Sequence, residues 1–180
     1  MKNAEILDVG CGHVLGHHKR GSIGIDLKRG RADIVGDANC LPIRNNAFRK
    51  VLCYYLIEHV IDVPCVISEL IRVAQKEVKI VTDNALFYRI YLLKVLHSLK
   101  LVKEPGYANV EHVHAYYPAH LKHYLQRIGI KARVIPCNVG PLHKMDRMML
   151  VLTKIFPQLK SLAERDIMIR IVKESAELGP

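Results

Sequence analysis

The sequence has no apolar run long enough to cross a membrane. Its most apolar stretch, residues 85–101, is interrupted by Arg89, Lys94, His97 and Lys100, whereas a spanning helix needs roughly 20 apolar residues. The beginning lacks the basic, then apolar, then small-residue pattern of a signal peptide and enters strand-like sequence by Ile6, so the cytoplasm is the expected location and no membrane partner is expected. No CxxC pair occurs among Cys11, Cys40, Cys53, Cys65 and Cys137, and their number is odd. A disulfide framework is therefore disfavoured, and free, mostly buried thiols in a reducing compartment are expected. There is no internal repeat, low-complexity tract or Gly/Ser linker. One domain over residues 1–180 is the simplest organisation.

What is present is sufficient for a core. Half of the 180 residues are hydrophobic and 24% are charged, which argues against global disorder. The net charge of +10 is unevenly distributed, because the residues after Asp83 carry 15 Lys and Arg against 7 Asp and Glu. A basic half can attract RNA, anionic lipid or a phosphorylated metabolite, or be an ordinary solvated surface. No Lys/Arg run exceeds two residues, which weakens the nucleic-acid reading.

Hydrophobic patterning predicts strands over residues 4–9, 22–27, 32–36, 50–55 and 78–82, with a helix over 63–75 capped by Asp62. Strands that are apolar nearly throughout suit a parallel sheet covered on both faces, and strand–crossover alternation implies an open, doubly wound α/β fold. Beyond Asp83 the pattern predicts an amphipathic helix over 86–101, a loop over 106–117 and a helix over 118–128 closed by Gly129. Strands over 131–137 and 147–153 are expected to form a terminal hairpin. Ser161 with Glu164 reads as a capping box for a last helix to about Glu177. That helix is apolar on more than one side (Ile167, Ile169, Ile171, Val172), so it is expected either to cover the sheet or to meet a second subunit in a homodimer.

The chemistry-bearing positions fall at successive strand ends. Asp8-Val9-Gly10-Cys11-Gly12 closes the first strand with an acid and two glycines, which lets the backbone turn sharply beside a nucleotide. Asp26 ends the second strand, where a carboxylate can accept from ribose hydroxyls, and Gly36-Asp37-Ala38 ends the third. The fourth runs through Cys53, Tyr54 and Tyr55 into Leu56-Ile57-Glu58-His59-Val60.

Residues 6–83 resemble the class I S-adenosylmethionine (SAM)-dependent methyltransferases, especially those whose fourth strand ends in a "LEHV"-like segment. His112-Val113-His114-Ala115-Tyr116-Tyr117-Pro118 and the following helix resemble that group's C-terminal half. The resemblance implies a Rossmann-like fold with a seven-stranded, mostly parallel sheet ending in an antiparallel hairpin, and SAM as cofactor. It implies that Asp8, Gly10 and Gly12 bracket the methionine part, that Asp26 holds ribose, and that Asp37 and Ala38 read adenine. Leu41 would pack on the purine, and Cys53 and Tyr54 would line the methionine side.

Two features depart from the family pattern. Val14 stands where a third glycine is usual, with Gly16 beyond, and only about eight residues (14–21) separate the loop from the second strand, so a shortened first crossover helix is expected. The rival dinucleotide reading is weaker, because Gly10, Gly12 and Gly16 give GxGxxxG rather than GxGxxG.

Methyl transfer from a sulfonium requires mainly in-line placement and a dry pocket. A base assists if the acceptor is a hydroxyl; the candidates are His59, with packing or ordering of its loop as the structural alternative, and His112 and His114, as base or substrate contact. Tyr55, Tyr116 and Tyr117 are candidate acceptor-pocket residues, although paired tyrosines commonly pack in cores. His13, His17 and His18 have no CxxC partner and read as solvated loop residues, so no metal is expected. Residues 84–117 sit where the family inserts substrate elements and are expected to form an insertion or lid. The absence of an Asn/Asp-Pro-Pro-aromatic tetrapeptide disfavours methylation of adenine or glutamine amides. The expected activity is methyl transfer to an oxygen or nitrogen of a small metabolite or saccharide-like acceptor. An RNA methyltransferase and a non-catalytic SAM-binding or scaffolding protein are the alternatives.

Overall fold

The computed structural model describes residues 5–12, 21–30, 32–88, 98–100, 113–139 and 144–173. Strands β1 (Ile6–Val9), β2 (Ile23–Asp26), β3 (Ile34–Val35), β4 (Phe48–Tyr54), β5 (Ala74–Asp83), β6 (Arg133–Cys137) and β7 (Asp166–Val172) form one sheet in the order β3-β2-β1-β4-β5-β7-β6. β1 to β5 are mutually parallel, and β7 runs antiparallel to both β5 and β6. This is the Rossmann-like, mostly parallel seven-stranded sheet with a terminal antiparallel pair that the sequence predicts. The strand order reverses between β1 and β4, which makes their carboxyl ends the switch point where ligands of open α/β sheets bind.

The middle of the sheet is dry. Leu7, Val9, Val51, Cys53, Val78 and Ile80 are buried, and α1 (Val63–Val73) adds Val66, Ile67, Leu70 and Val73 to the same cluster. α1 starts where Asp62 accepts from the Cys65 amide at 2.9 Å, with Pro64 in its first turn; a proline is tolerated there because that amide has no intrahelical partner. It runs directly into β5 at Ala74 with no intervening loop.

One ion pair ties α1 to the ligand edge. Arg72 grips Glu69 with Nε and Nη2 at 2.6 and 2.8 Å and donates to the carbonyls of Ile43 and Leu41. Glu69 in turn accepts from the Leu41 amide at 2.8 Å, and the adjacent guanidinium holds its carboxyl below the usual range. The segment after Asp37 is thereby fixed to the helix.

α2 (Pro118–Arg127) buries Leu121 and Leu125, packs against β6, and stops before Gly129 at φ +76°. Two expectations for the C-terminal third are corrected. Residues 147–153 lie within helix α3 (Lys144–Ile155), not a strand. Met148, Met149, Leu150 and Leu152 are good helix formers, and Asp146 and Lys154 sit at the ends that complement the helix dipole.

The long last helix is also replaced. Among the described residues of that stretch only α4 (Lys160–Ala163) is helical, following a 3₁₀ turn at Pro157–Leu159, and Asp166–Val172 is strand β7. Ile167, Ile169 and Ile171 alternate into the core while Arg170 and Val172 face out. That period of two fits β-branched residues on a pleated surface. The homodimer contact assigned to this helix loses its basis, because the isoleucines are spent inside the sheet. Residues 13–20, which hold His13, His17, His18 and the expected shortened crossover helix, lie outside the described residues, as do 89–97 and 101 of the predicted 86–101 helix, 102–112 of the expected loop and insertion, and residues 174–180. Among the described residues, no helix is long and apolar enough to cross a membrane.

The strand assignment makes a direct prediction. Ile169→Ala is expected to destabilise the fold by about 2–5 kcal/mol, and Val172→Ala by less than about 0.5 kcal/mol. Urea unfolding of the two variants checks this, and equal effects would contradict the alternation.

Candidate functional site

The loop after β1 is held by β2. The Gly10 and Cys11 amides donate to the Ile25 carbonyl at 2.8 and 3.3 Å, and the Gly12 amide donates to Asp26 Oδ2 at 3.0 Å. Gly10 takes φ +73°, and a Cβ there would lie 3.1 Å from Leu56. A side chain at Gly10 is therefore strained by the backbone conformation and would require Leu56 to give way. Asp26 Oδ1 accepts from the Lys28 amide at 3.0 Å. Each carboxylate oxygen thus keeps one further lone pair for a ligand donor.

At the end of β3, Asp37 Oδ1 accepts from the backbone and side-chain nitrogens of Asn39 at 2.8 and 2.9 Å. This turn presents Asp37 at the surface and leaves its Oδ2 outside the turn. Gly36 before it is required by crowding, since a Cβ would meet Ile25 at 2.9 Å and Pro42 at 3.0 Å.

These strand ends enclose a cleft of about 490 Å³, within the range of roughly 300–1,000 Å³ typical of small-molecule sites. Its walls bring together Gly10, Asp26, Asp37, Ala38 and His59 of the residues singled out from the sequence, and add Leu27, Asn39, Ile61 and Asp62. Three carboxylates face the cleft, and among the described lining residues there is no Lys or Arg. Leu27 and Ile61 are 69% and 85% exposed, so the walls are apolar surfaces that water covers at a cost.

Other expected site residues stand elsewhere. Asp8 is buried beneath the loop. Gly12 is joined to the cleft through Asp26 but is not among its walls. Leu41 is buried in the core rather than on a cleft wall, and Cys53 is fully buried in mid-sheet. The ammonium of Lys79 sits 5.7 Å from the Tyr54 ring centre.

Tyr55 takes the unusual φ of +50° and donates its hydroxyl to Asp166 at 2.9 Å. Burial, then the Asp166 charge, raises its ionisation well above the ordinary tyrosine value. Tyr116 is a core residue, with its hydroxyl 3.5 Å from the Ile57 carbonyl. Tyr117 is exposed and rests on His120 with ring centres 5.2 Å apart. His112 lies outside the described residues. His114 stacks on Tyr116 at 5.8 Å, and its amide donates to the Glu58 carbonyl at 3.1 Å. Among the cysteines, Cys11 is buried and its thiol is pushed up to about 11 by desolvation, then by the charges of Asp26 and Asp8; Cys40 is exposed.

The sequence reading gave no role to Glu58, Thr82, Asn84 or Asp166, which organise the carboxyl ends of β4 and β5. Glu58 is buried, accepts from Thr82 Oγ1 at 2.9 Å, and has no hydrogen-bond partner at Oε1 among the described residues. Its position before His59 was the available signal. Asp166 accepts from Tyr55, from the Val139 amide at 2.6 Å and from Arg165. It was obscured by assignment to a helix.

No protein-family model and no curated protein matches this chain. Solved structures do. It superimposes on a SAM-dependent methyltransferase from Archaeoglobus fulgidus with a TM-score of 0.58 at 16% identity, covering 93% of this chain and 85% of that one. For a SAM-dependent methyltransferase from Thermotoga maritima, described as a possible histamine N-methyltransferase, the values are 0.61, 13%, 94% and 82%. For a phosphoethanolamine N-methyltransferase from Haemonchus contortus in complex with SAM they are 0.56, 14%, 93% and 48%. The fold is that of the class I methyltransferases.

Burial pushes the Glu58 carboxyl up to about 7, against smaller opposing contributions from backbone and Thr82 hydrogen bonds. A group whose folded value is raised contributes stability that is present below its unfolded value and is lost as pH rises through the folded one. The wild-type chain is therefore expected to lose stability between about pH 4.5 and 7 through this residue, with an upper bound on the order of 3 kcal/mol. Glu58→Gln, which stays neutral, is expected to flatten that part of the profile and to be the more stable form at pH 8. Urea midpoints across the range check this, and identical profiles for both proteins would refute it.

Proposed function

We propose that the chain binds SAM in this cleft and transfers its methyl group to an oxygen or nitrogen of a small acceptor. The observation that carries the reading is the charge of the walls. Asp26, Asp37 and Asp62 face the cavity, with no Lys or Arg among the described lining residues. Such a surface repels a pyrophosphate, which disfavours a dinucleotide, and attracts a cation-bearing ligand.

The residues suit the adenosyl group as well. Asp26 retains a lone pair on each oxygen for the two ribose hydroxyls, and Asp37 can accept from the adenine amine while the Ala38 amide meets the ring. The exposed side chains of Leu27 and Ile61 are suited to cover the purine faces, in place of the buried Leu41. When bound, SAM supplies a methyl group on a positively charged sulfur, so the protein has to align, desolvate and deprotonate rather than activate. His59 is the histidine candidate that lines this cleft, and it serves as proton acceptor if the attacking atom is a hydroxyl. Residues 84–117 would cover the acceptor side, with 113–114 anchored to the Glu58 carbonyl.

Isothermal calorimetry tests the proposal. SAM and S-adenosylhomocysteine are both expected to bind, and NAD is not. Asp26→Ala is expected to weaken SAM at least about tenfold, or ~1.4 kcal/mol, while the variant still unfolds cooperatively. Absence of heat with either ligand at millimolar concentration would rule out the cleft as a SAM site.

A further inference from the structure

Between β6 and β7 the chain inserts α3, the 3₁₀ turn and α4. The inner side of α3 is fastened by Asp146, which is buried and accepts from the Tyr88 hydroxyl at 2.9 Å. The opposite side is apolar and open to solvent. Met148, Val151 and Ile155 are 58%, 57% and 66% exposed, and Phe156 just beyond them is 47% exposed. Positions i, i+3 and i+7 fall on one stripe of a helix, so these are one continuous patch and not scattered surface residues.

Cations accompany the stripe. Arg147 and Lys154 are exposed and project beside it at the next helical positions, and Lys160 follows at the α4 start with its side chain 63% exposed. Residues 144–160 contain four Lys and Arg and a single acid, the buried Asp146. A polyanion such as RNA is matched by cations, but it gives no reason for four exposed apolar side chains between them. A second copy of this chain would cover the apolar stripe but bring Arg147 and Lys154 against their own kind across a two-fold axis. An anionic lipid surface accommodates both features, taking the apolar face to the acyl boundary and the cations to the headgroups.

We infer that α3 through Phe156 is an interfacial segment that docks the protein on an anionic membrane surface. This does not depend on the methyl-transfer reading, and it replaces the expectation of no membrane partner, since docking in the plane needs no spanning helix. The insertion is pinned to the carboxyl end of β5, because the side-chain amide of Asn84 donates to the Ser161 and Glu164 carbonyls at 2.6 and 2.7 Å. Docking would therefore bring the ligand edge of the sheet toward the lipid.

Co-sedimentation with vesicles tests this on the full chain. Wild type is expected to pellet with vesicles containing phosphatidylglycerol and to remain in solution with phosphatidylcholine alone, and raised salt is expected to weaken the binding. Val151→Glu/Ile155→Glu is expected to bind anionic vesicles at least roughly tenfold more weakly, as is Arg147→Glu/Lys154→Glu. All four positions are exposed, so both variants should keep the wild-type melting temperature, which separates lost docking from misfolding. The inference is overturned if wild type ignores anionic vesicles, or if both variants bind as wild type does. It is equally overturned by a dimer that Val151→Glu/Ile155→Glu dissolves, or by RNA binding that charge reversal abolishes and the apolar replacements leave intact.

Discussion

The hydrogen bond from the Gly12 amide to the Asp26 carboxylate is the constraint on which the ligand edge depends. A parallel strand that stops at the switch point leaves backbone donors that must find partners. β2 takes all three after β1, the Ile25 carbonyl serving Gly10 and Cys11 and the Asp26 side chain serving Gly12. Asp26 then turns its other oxygen to the Lys28 amide. The residue assigned to ribose is thus also a structural clamp, and the two roles are compatible because a carboxylate has about four acceptor sites. An unpaired Gly12 amide would carry a desolvation cost of roughly 1–3 kcal/mol wherever ligand or loop excludes water.

The same solution recurs along the sheet. Asp33 accepts from the Gly24 amide at 2.7 Å, Asp166 from the Val139 amide, and Asn84 bridges two carbonyls of the β6–β7 insertion. Short polar side chains thus hold the segments around the strands, and Asp26, Asp37 and Asp62 make the cleft walls acidic even though the chain as a whole is basic. At the centre of the ligand edge Glu58 is a buried carboxyl raised by desolvation. Its backbone carbonyl holds residues 113 and 114. One residue therefore couples the end of β4 to the segment leading into α2.

The first half of the fold was legible because its signals are local and agree with one another. β1, β2, β4 and α1 each combine an apolar run or face with a turn or cap at the expected place, and Asp26, Asp37 and Ala38, singled out by their positions at strand ends, line the cleft. The last third was misread because local signals conflict there. Ile167, Ile169, Ile171 and Val172 are apolar at spacings that satisfy either period over so few residues, and Ser161 with Glu164 imitated a capping box. The decision lay in pairing with β5, a partner more than eighty residues away. The same error hid Asp166, whose value as an acceptor for Tyr55 exists only once β7 lies beside β5. The family resemblance implies that Leu41 packs on the purine, but Glu69 draws its amide toward α1 and its side chain enters the core.

A basic protein with an acidic cleft raises the question of whether its net charge opposes a cationic ligand. The geometry answers through distance. The cleft lies at the ends of β1, β2 and β3, and the α3 insertion is pinned at the end of β5, two strands from β1 in the sheet order; at about 4.8 Å per strand the separation is roughly 10 Å or more. Solvent-exposed charges are largely screened beyond about 8–10 Å at physiological ionic strength. The carboxylates of Asp26 and Asp37 act at contact, where screening is least effective. The exposed cations of α3 therefore contribute little to the potential in the cleft, and the acids in its walls contribute most. The two surfaces can serve opposite charges on one small chain because the width of the sheet keeps their fields apart.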